Sequence, residues 1–153
     1  KIDTAIILLK EAKKYNVKIH LPEDCIIANK IKFGCKTKIS YSNNIKKGMM
    51  NLDIGPKSIN AFTDIIEKSK KILWNGPMGV FEINEFSNGT NKIAKSVSNT
   101  TKKGAFSLVG GGDSVAAINK NNLSKNISFI STGGGSLLYY ISNGFLPALK
   151  ILN

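Results

Sequence analysis

The stretch that most constrains the fold is an apolar run that leads directly into three glycines. Residues 105–109 have the composition of a buried strand, and Gly110, Gly111 and Gly112 follow. Asp113 and Ser114 then begin a segment rich in helix formers. Glycine allows a sharp turn, Asp favours the helix N-cap, and a helix start carries partial positive charge. This order predicts a phosphate-binding turn, although a plain packing turn has the same pattern.

Two further strand-like runs end in unusual turns. Residues 71–74 lead into Asn75-Gly76-Pro77, and residues 127–131 lead into a second triple glycine at 133–135. Strand-like and helical patterns alternate, which predicts an α/β fold with a parallel, Rossmann-like sheet and helices on both faces, a three-layer α/β/α arrangement. The carboxyl ends of parallel strands share one edge, where ligands bind. We therefore expect the three turns to converge on one site.

Hydrophobic spacing and turn residues predict the other elements. The predicted set comprises helices over 2–15, 56–69 and 84–101, a helix that starts at 137 and ends near 143, a strand over 17–21, and an antiparallel ribbon between 25–28 and 36–42.

The net charge of +12 raises the question of a nucleic-acid partner. All of the 22 basic residues are lysines, and they are scattered along the chain. Arginine is the usual residue for bidentate recognition of bases and phosphates, so we expect no nucleic-acid partner. The apolar runs are too short to span a bilayer, so we expect no membrane partner. Cys25, Cys35 and His20 lack metal-ligand spacing, which predicts reduced thiols and no metal cluster.

The residues beside the predicted turns point to a nucleotide. A carboxylate next to a phosphate usually indicates a bridging Mg²⁺, which needs only one or two protein carboxylates, and Asp113 is such a group. Glu82 has the chemistry to accept a hydrogen bond from a ribose hydroxyl. No nucleophile or general base stands out. The residues alone therefore predict a Mg²⁺–nucleotide site.

Three motifs carry a family resemblance, in one order and spacing. They are Trp-Asn-Gly-Pro-Met-Gly-Val-Phe-Glu at 74–82, Gly-Gly-Gly-Asp-Ser at 110–114 and Ser-Thr-Gly-Gly-Gly at 131–135. Together with Leu-Asp-Ile-Gly-Pro at 52–56 and Leu-Pro at 21–22, they resemble phosphoglycerate kinase. The resemblance covers all 153 residues. It implies that 1–153 is most of that family's C-terminal nucleotide-binding domain, incomplete at its N-terminal side.

The resemblance assigns two groups of site residues. In the first group, the backbone N–H groups of Gly111, Gly134 and Gly135 contact the phosphoryl group during transfer. The second group binds the nucleotide: Leu52 and Val80 at the adenine, Asn75, Gly76 and Pro77 along the ribose and phosphates, Glu82 at the ribose hydroxyls, and Gly110, Gly111, Gly112, Asp113 and Ser114 at the phosphates, with Asp113 also the Mg²⁺ ligand.

The resemblance also implies a reaction and a setting. The family transfers a phosphoryl group reversibly between ATP and 3-phosphoglycerate, giving ADP and 1,3-bisphosphoglycerate in glycolysis. Such transfer needs positioning and charge stabilisation more than covalent chemistry. The expected cofactor is Mg²⁺ with ATP or ADP, and the acceptor is held through an N-terminal domain. The expected parent is a monomer in the cytoplasm, or in an organelle such as a plastid.

Some family features are missing from this chain. Asn51 replaces a glycine against the adenine, Asn29 replaces an Asp, and Tyr139 replaces an acid near the interdomain hinge. The family's basic patch and its Gly-Gly-Ala-Lys segment are absent, and no arginine substitutes for them. We therefore expect the isolated 153-residue chain to be inactive. The alternative is a non-catalytic nucleotide-binding or scaffold module from a degenerate paralogue.

Overall fold

A computed structural model describes residues 1–151. The last two residues of the predicted domain 1–153 lie outside the described residues. The helices are α1 (Ile2–Lys14), α2 (Pro56–Glu67), α3 (Asn88–Lys102), α4 (Gly112–Lys120) and α5 (Gly134–Asn143), and the strands are β1 (Asp24–Ala28), β2 (Lys38–Tyr41), β3 (Met50–Ile54), β4 (Lys71–Asn75), β5 (Phe106–Gly110) and β6 (Phe129–Ser131). Short 3₁₀ turns cover Asn84–Phe86, Ser124–Asn126 and Pro147–Ile151.

The predicted parallel sheet is confirmed. It has three strands in the order β4-β5-β6, and both pairings are parallel. Asn75, Gly110 and Ser131 lie side by side, because Gly110 pairs with both of the others. The three strands therefore end at the same level, and the three predicted turns leave from one edge.

A second sheet is antiparallel, with the order β2-β1-β3. The predicted ribbon forms its first pair, with Cys25 opposite Ser40. The third strand, β3, was not predicted. Its last three residues, Leu52, Asp53 and Ile54, are all buried. A strand with a buried Asp between two buried apolar residues lacks the apolar–polar alternation by which half-buried strands are recognised.

One face of the parallel sheet carries the main core. Trp74 of β4 and Val109 of β5 are buried there, against residues of α3 and α4 that include Val97 and Ile118. The apolar face of α2 joins the same cluster through Ile59.

The opposite face is covered only near its carboxyl end. A Leu137 methyl group of α5 lies where a side chain on Gly110 would project. Away from that end of the sheet, Leu73, Phe106 and Phe129 are 49%, 51% and 56% exposed. Helices therefore lie on both faces of an α/β fold, as predicted, but the second layer spans only one end of the sheet.

Two predicted elements need correction. Residues 17–21 form no regular strand, and Val17 and Leu21 are 59% and 74% exposed. Extended residues become a strand only when a neighbouring strand supplies hydrogen bonds, and neither sheet pairs with this segment. The helix predicted over 84–101 is divided, since Asn84–Phe86 is a 3₁₀ turn before α3 begins.

Within residues 1–151, none of the helices combines the length and the apolar character that crossing a membrane requires.

Candidate functional site

In chain order, the first turn is 75–77, the second is 110–112 and the third is 133–135. The side chain of Asn75, in the first turn, lies against both of the others. Its Nδ2 atom donates a hydrogen bond to the carbonyl oxygen of Gly110, at 3.0 Å. The same nitrogen lies 3.3 Å from the position of a Cβ added to Gly111 and 3.5 Å from one added to Gly134. Asn75 therefore lies where β4, the second turn and the third turn meet.

Ser114 provides a second link between the first and second turns. Its hydroxyl oxygen accepts the backbone N–H of Gly76 at 2.7 Å, and the residue is completely buried. The hydroxyl oxygen therefore supports the backbone of the first turn. Direct phosphate binding by Ser114 stays a prediction.

The second and third turns are in direct contact. The N–H of Gly111 donates to the carbonyl oxygen of Ser131 at 3.2 Å. A Cβ on Gly134 would lie only 2.6 Å from the Cα of Gly111. Gly111 has a φ of +92°, a conformation that side chains disfavour. The predicted convergence of the three turns is thus confirmed, and the two glycines permit the approach.

Two helices begin at this junction. Gly112 opens α4 and Gly134 opens α5, and added Cβ atoms on Gly112 and Gly135 would meet nothing within 4 Å. The first N–H groups of a helix lack partners in the helix and carry partial positive charge. The open side of the junction is therefore suited to an anion. The N–H of Gly111 already donates a hydrogen bond to Ser131. It can contact a phosphoryl group, as predicted, only if that hydrogen bond breaks.

Asp113 is the carboxylate at the junction. It lies in the first turn of α4 and is exposed. Residues 1–151 contain no cluster of three His, Cys, Asp or Glu side chains suited to a metal ion. A single exposed carboxylate beside an anion cradle suits Mg²⁺, which takes its other oxygen ligands from phosphates and water. Asp113 therefore fits a phosphate-bound Mg²⁺, but not a metal site formed by protein ligands alone.

The 75–82 loop, which connects β4 to the turn before α3, holds several predicted nucleotide residues. Pro77 and Val80 are half-buried, and Glu82 is exposed. The Nζ atom of Lys120 donates to the carbonyl oxygen of Phe81 at 2.9 Å. A residue of α4 therefore fixes the backbone immediately before Glu82.

Leu52 is largely buried. It is 5% exposed and clusters with Ala28 and Phe86, with Val80 packed against the same cluster. The N–H of Val80 donates to the carbonyl oxygen of Leu52 at 2.9 Å. The structure thus brings together the two residues assigned to the adenine. Contact with adenine stays a prediction for both.

Asp53 is a supporting residue that sequence reasoning missed. Its Oδ2 accepts the N–H of Gly89 at 2.7 Å, and its Oδ1 accepts the N–H of Ile54 at 2.9 Å. Burial raises the pKa of Asp53 to about 6, although the two hydrogen bonds act in the opposite direction. A strand residue thus binds the first turn of α3. The sequence signal that could have identified Asp53 is an acidic residue between apolar neighbours.

Thr90 supports the 75–82 loop from the other side. Its Oγ1 accepts the N–H groups of Met78 at 3.0 Å and Gly79 at 3.3 Å. Thr90 is completely buried in the first turn of α3. Sequence reasoning also missed this residue, because a single Thr in a helix has no distinctive pattern.

A third buried polar group, Asp24, anchors α2. Its carboxylate accepts the N–H of Lys57 at 3.1 Å and the N–H of Ser58 at 2.8 Å. The Ser58 hydroxyl also donates to it at 2.7 Å. Burial raises the pKa of Asp24, but these hydrogen bonds outweigh burial and leave the pKa below its ordinary value. The N–H groups at the start of α2 are therefore already hydrogen-bonded within the protein.

The three residues that the resemblance marks as departures from the family take no part in the junction contacts described above. Asn51 is exposed in β3, and Asn29 is exposed just after β1. Tyr139 is 39% exposed, with its ring edge-on to Phe145 at 5.9 Å between centroids.

Comparison with known proteins gives consistent matches. The phosphoglycerate kinase family model matches residues 1–143. A phosphoglycerate kinase of Thermosipho africanus is 45% identical over 97% of this chain, and a cytosolic phosphoglycerate kinase of Triticum aestivum is 42% identical over all of it. The phosphoglycerate kinase structure from Coxiella burnetii covers 98% of the chain with a TM-score of 0.88 and 37% identity.

The match covers only part of each relative. The chain spans 37% of the Thermosipho protein, 38% of the Triticum protein and 37% of the Coxiella structure. The family match extends through all three converging turns, because residues 1–143 include each of them. The chain therefore belongs to the phosphoglycerate kinase family.

Proposed function

We propose that this chain is the nucleotide-binding part of a phosphoglycerate kinase, and that it binds ADP and ATP with Mg²⁺ where the three turns meet. The observation that carries the proposal is the contact between Gly111 and Gly134, which brings the starts of α4 and α5 to one junction. Two adjacent helix starts favour a polyphosphate over a neutral ligand. The 75–82 loop extends from this junction and carries Glu82 toward the ribose.

Asp113 would hold the Mg²⁺ in this proposal. When bound, the ion would supply neutralisation of phosphate charge. The chain's own groups bind and orient the phosphates. Gly134 and Gly135 orient phosphate oxygens through their N–H groups, and Asn75 keeps the strand end in place through its bond to Gly110.

The complete reaction belongs to a longer protein in this proposal. The matched relatives are more than twice as long as this chain, since it spans 37–38% of their lengths. Phosphoryl transfer between ATP and 3-phosphoglycerate requires both substrates to be held in line. We place the 3-phosphoglycerate site outside these 153 residues. The isolated chain is then inactive, and the whole enzyme is a monomeric glycolytic kinase of the cytoplasm.

Calorimetric titration of the purified chain with ADP, with and without Mg²⁺, tests the proposal. We expect ADP to bind, and Mg²⁺ to increase the affinity. Asp113→Ala should lose the Mg²⁺-dependent increase, roughly tenfold or 1.4 kcal/mol, and keep the remainder.

Asp64→Ala is the matched control, because Asp64 is an exposed carboxylate on α2 that belongs to none of the three turns. It should bind ADP as the unmodified chain does. A folded chain without ADP binding would refute the nucleotide site. An unchanged Mg²⁺ effect in Asp113→Ala would refute the role of Asp113.

A further inference from the structure

We propose that Thr90 is a positioning residue that sets the conformation of the 75–82 loop, and through it the affinity for the nucleotide. The inference rests on the proposed nucleotide site, and it adds a residue that lies outside the family motifs described above. Thr90 is completely buried and therefore acts through the loop backbone, without contact with the ligand.

The first observation is the pair of hydrogen bonds that Thr90 accepts. Its Oγ1 atom receives the N–H groups of Met78 and Gly79, at 3.0 and 3.3 Å. Both residues are half-buried, and Thr90 itself is inaccessible to water. A buried N–H group without an acceptor is strongly unfavourable. The hydroxyl therefore holds two consecutive peptide groups of the loop in one orientation.

The second observation is that the loop is also held from β3. The next N–H along the chain, that of Val80, donates to the carbonyl oxygen of Leu52 at 2.9 Å. A Cβ on Gly79 would lie 2.5 Å from that same oxygen, so the loop passes the strand too closely for a residue with a side chain. Three successive N–H groups are thus fixed between β3 and the first turn of α3.

The third observation is that Thr90 is itself held in place. The preceding residue, Gly89, donates its N–H to the Asp53 carboxylate at 2.7 Å. Asp53 follows Leu52 in β3, so the same strand anchors both the loop and the helix turn that supports it. Thr90 therefore has a fixed position from which to set the loop.

Removing the hydroxyl should release the loop. Without Oγ1, the N–H groups of Met78 and Gly79 gain partners only if the loop moves toward water. Such a movement displaces Pro77 and Glu82, which belong to the same loop. We expect Thr90→Val, which keeps the shape of the side chain, to weaken ADP binding about tenfold. Thr90→Ser keeps the hydroxyl and should bind within about twofold of the unmodified chain.

A built-in probe reports the loop without any ligand. Trp74 is the single tryptophan of the chain, and its Nε1 donates to the carbonyl oxygen of Gly76 at 2.8 Å. It is 5% exposed. We expect Thr90→Val to increase quenching of Trp74 fluorescence by acrylamide, with little change in Thr90→Ser.

Thr100→Val is the matched control. Thr100 is also buried in α3, but its hydroxyl donates within the helix, to the carbonyl oxygen of Ser96 at 2.8 Å. It should leave both the Trp74 quenching and the ADP affinity near those of the unmodified chain, even where it lowers the unfolding temperature. A purely structural role for Thr90 would make the two valine variants behave alike, and that result would overturn the proposal.

The outcomes separate this proposal from the proposed function. If the unmodified chain binds no ADP, the nucleotide site fails, while Trp74 quenching still tests whether Thr90 fixes the loop. If ADP binds equally to the unmodified chain and a folded Thr90→Val variant, the positioning role fails and the nucleotide site stands. Should Thr90→Val not fold, hydrogen exchange of the unmodified chain decides: slow exchange at Met78 and Gly79 supports the proposal, and exchange as fast as at Glu82 overturns it.

Discussion

Helices α1 and α3 have similar sequence patterns and very different surroundings. Both carry apolar residues at helical spacing. In α3, Ile93 and Val97 are 3% and 1% exposed, whereas Ile6 and Leu9 of α1 are 46% and 53% exposed. No residue of α1 is buried. An apolar stripe therefore indicates that a helix forms and which face is apolar, but not whether another element covers that face.

The two helices also differ at their N-termini. In α3, the carboxylate of Asp53, from β3, accepts a hydrogen bond from the first turn of the helix. Helix α2 is held in the same way, by Asp24 of β1. The acidic residue in the first turn of α1 is its own Asp3, and no side chain caps that helix. The antiparallel sheet thus supplies buried carboxylates that position α2 and α3, and α3 in turn supports the 75–82 loop.

The largest expected effect comes from the apolar contacts. Ile93→Ala should lower the free energy of unfolding by about 3 kcal/mol, because it removes buried methyl groups and leaves a cavity. Ile6→Ala should change it by less than about 0.5 kcal/mol, since that side chain is already half exposed. Urea unfolding followed by circular dichroism measures both. Similar losses for the two variants would mean that α1 packs against the rest of the chain in solution.

A smaller effect is expected from the helix anchors. Asp24→Ala leaves the N–H groups of Lys57 and Ser58 without their acceptor, and should cost about 2 kcal/mol. Asp3→Ala removes only a favourable charge near an exposed helix start, and should cost about 0.3–0.5 kcal/mol. The same urea experiment at neutral pH compares the two. A loss for Asp24→Ala as small as that for Asp3→Ala would show that the start of α2 is satisfied by water.

The smallest effect is a pH dependence from Asp53. Its pKa in the folded chain is raised from 3.8 to about 6. Its contribution to stability is therefore fully present below about pH 4 and is lost as the pH rises through 6. The loss should be on the order of 1–2 kcal/mol.

Asp53→Asn isolates this contribution, because the side chain at position 53 no longer titrates. Asp24 has a lowered pKa and opposes the trend, since its contribution is lost as the pH falls, but it is present in both proteins and cancels in the difference. The difference in unfolding free energy between the two proteins should change between about pH 4 and pH 7. A difference that is constant over that range would contradict the raised pKa.

Much of the fold and site follows from local sequence. Strand ends at Trp74, Val109 and Ser131 were predicted from apolar runs that meet glycine-rich turns. The observed ends, Asn75, Gly110 and Ser131, are the same to within one residue and lie side by side. The convergence of the turns then follows from a general property of parallel sheets. The strand predicted over 17–21 is absent from the structure. A strand forms only beside a partner strand, and composition does not reveal whether such a partner exists.

Turn chemistry and the alternation of strands and helices could be derived from the chain because each depends on residues adjacent in sequence. The roles of Asp53, Thr90 and Ser114 could not. Thr90 reaches Met78 across twelve residues, and Ser114 reaches Gly76 across thirty-eight. Such hydrogen bonds depend on where separate elements come to rest when they pack. Local sequence thus specified which turns converge at the edge of the parallel sheet, and long-range packing selected the buried polar groups that hold them in place.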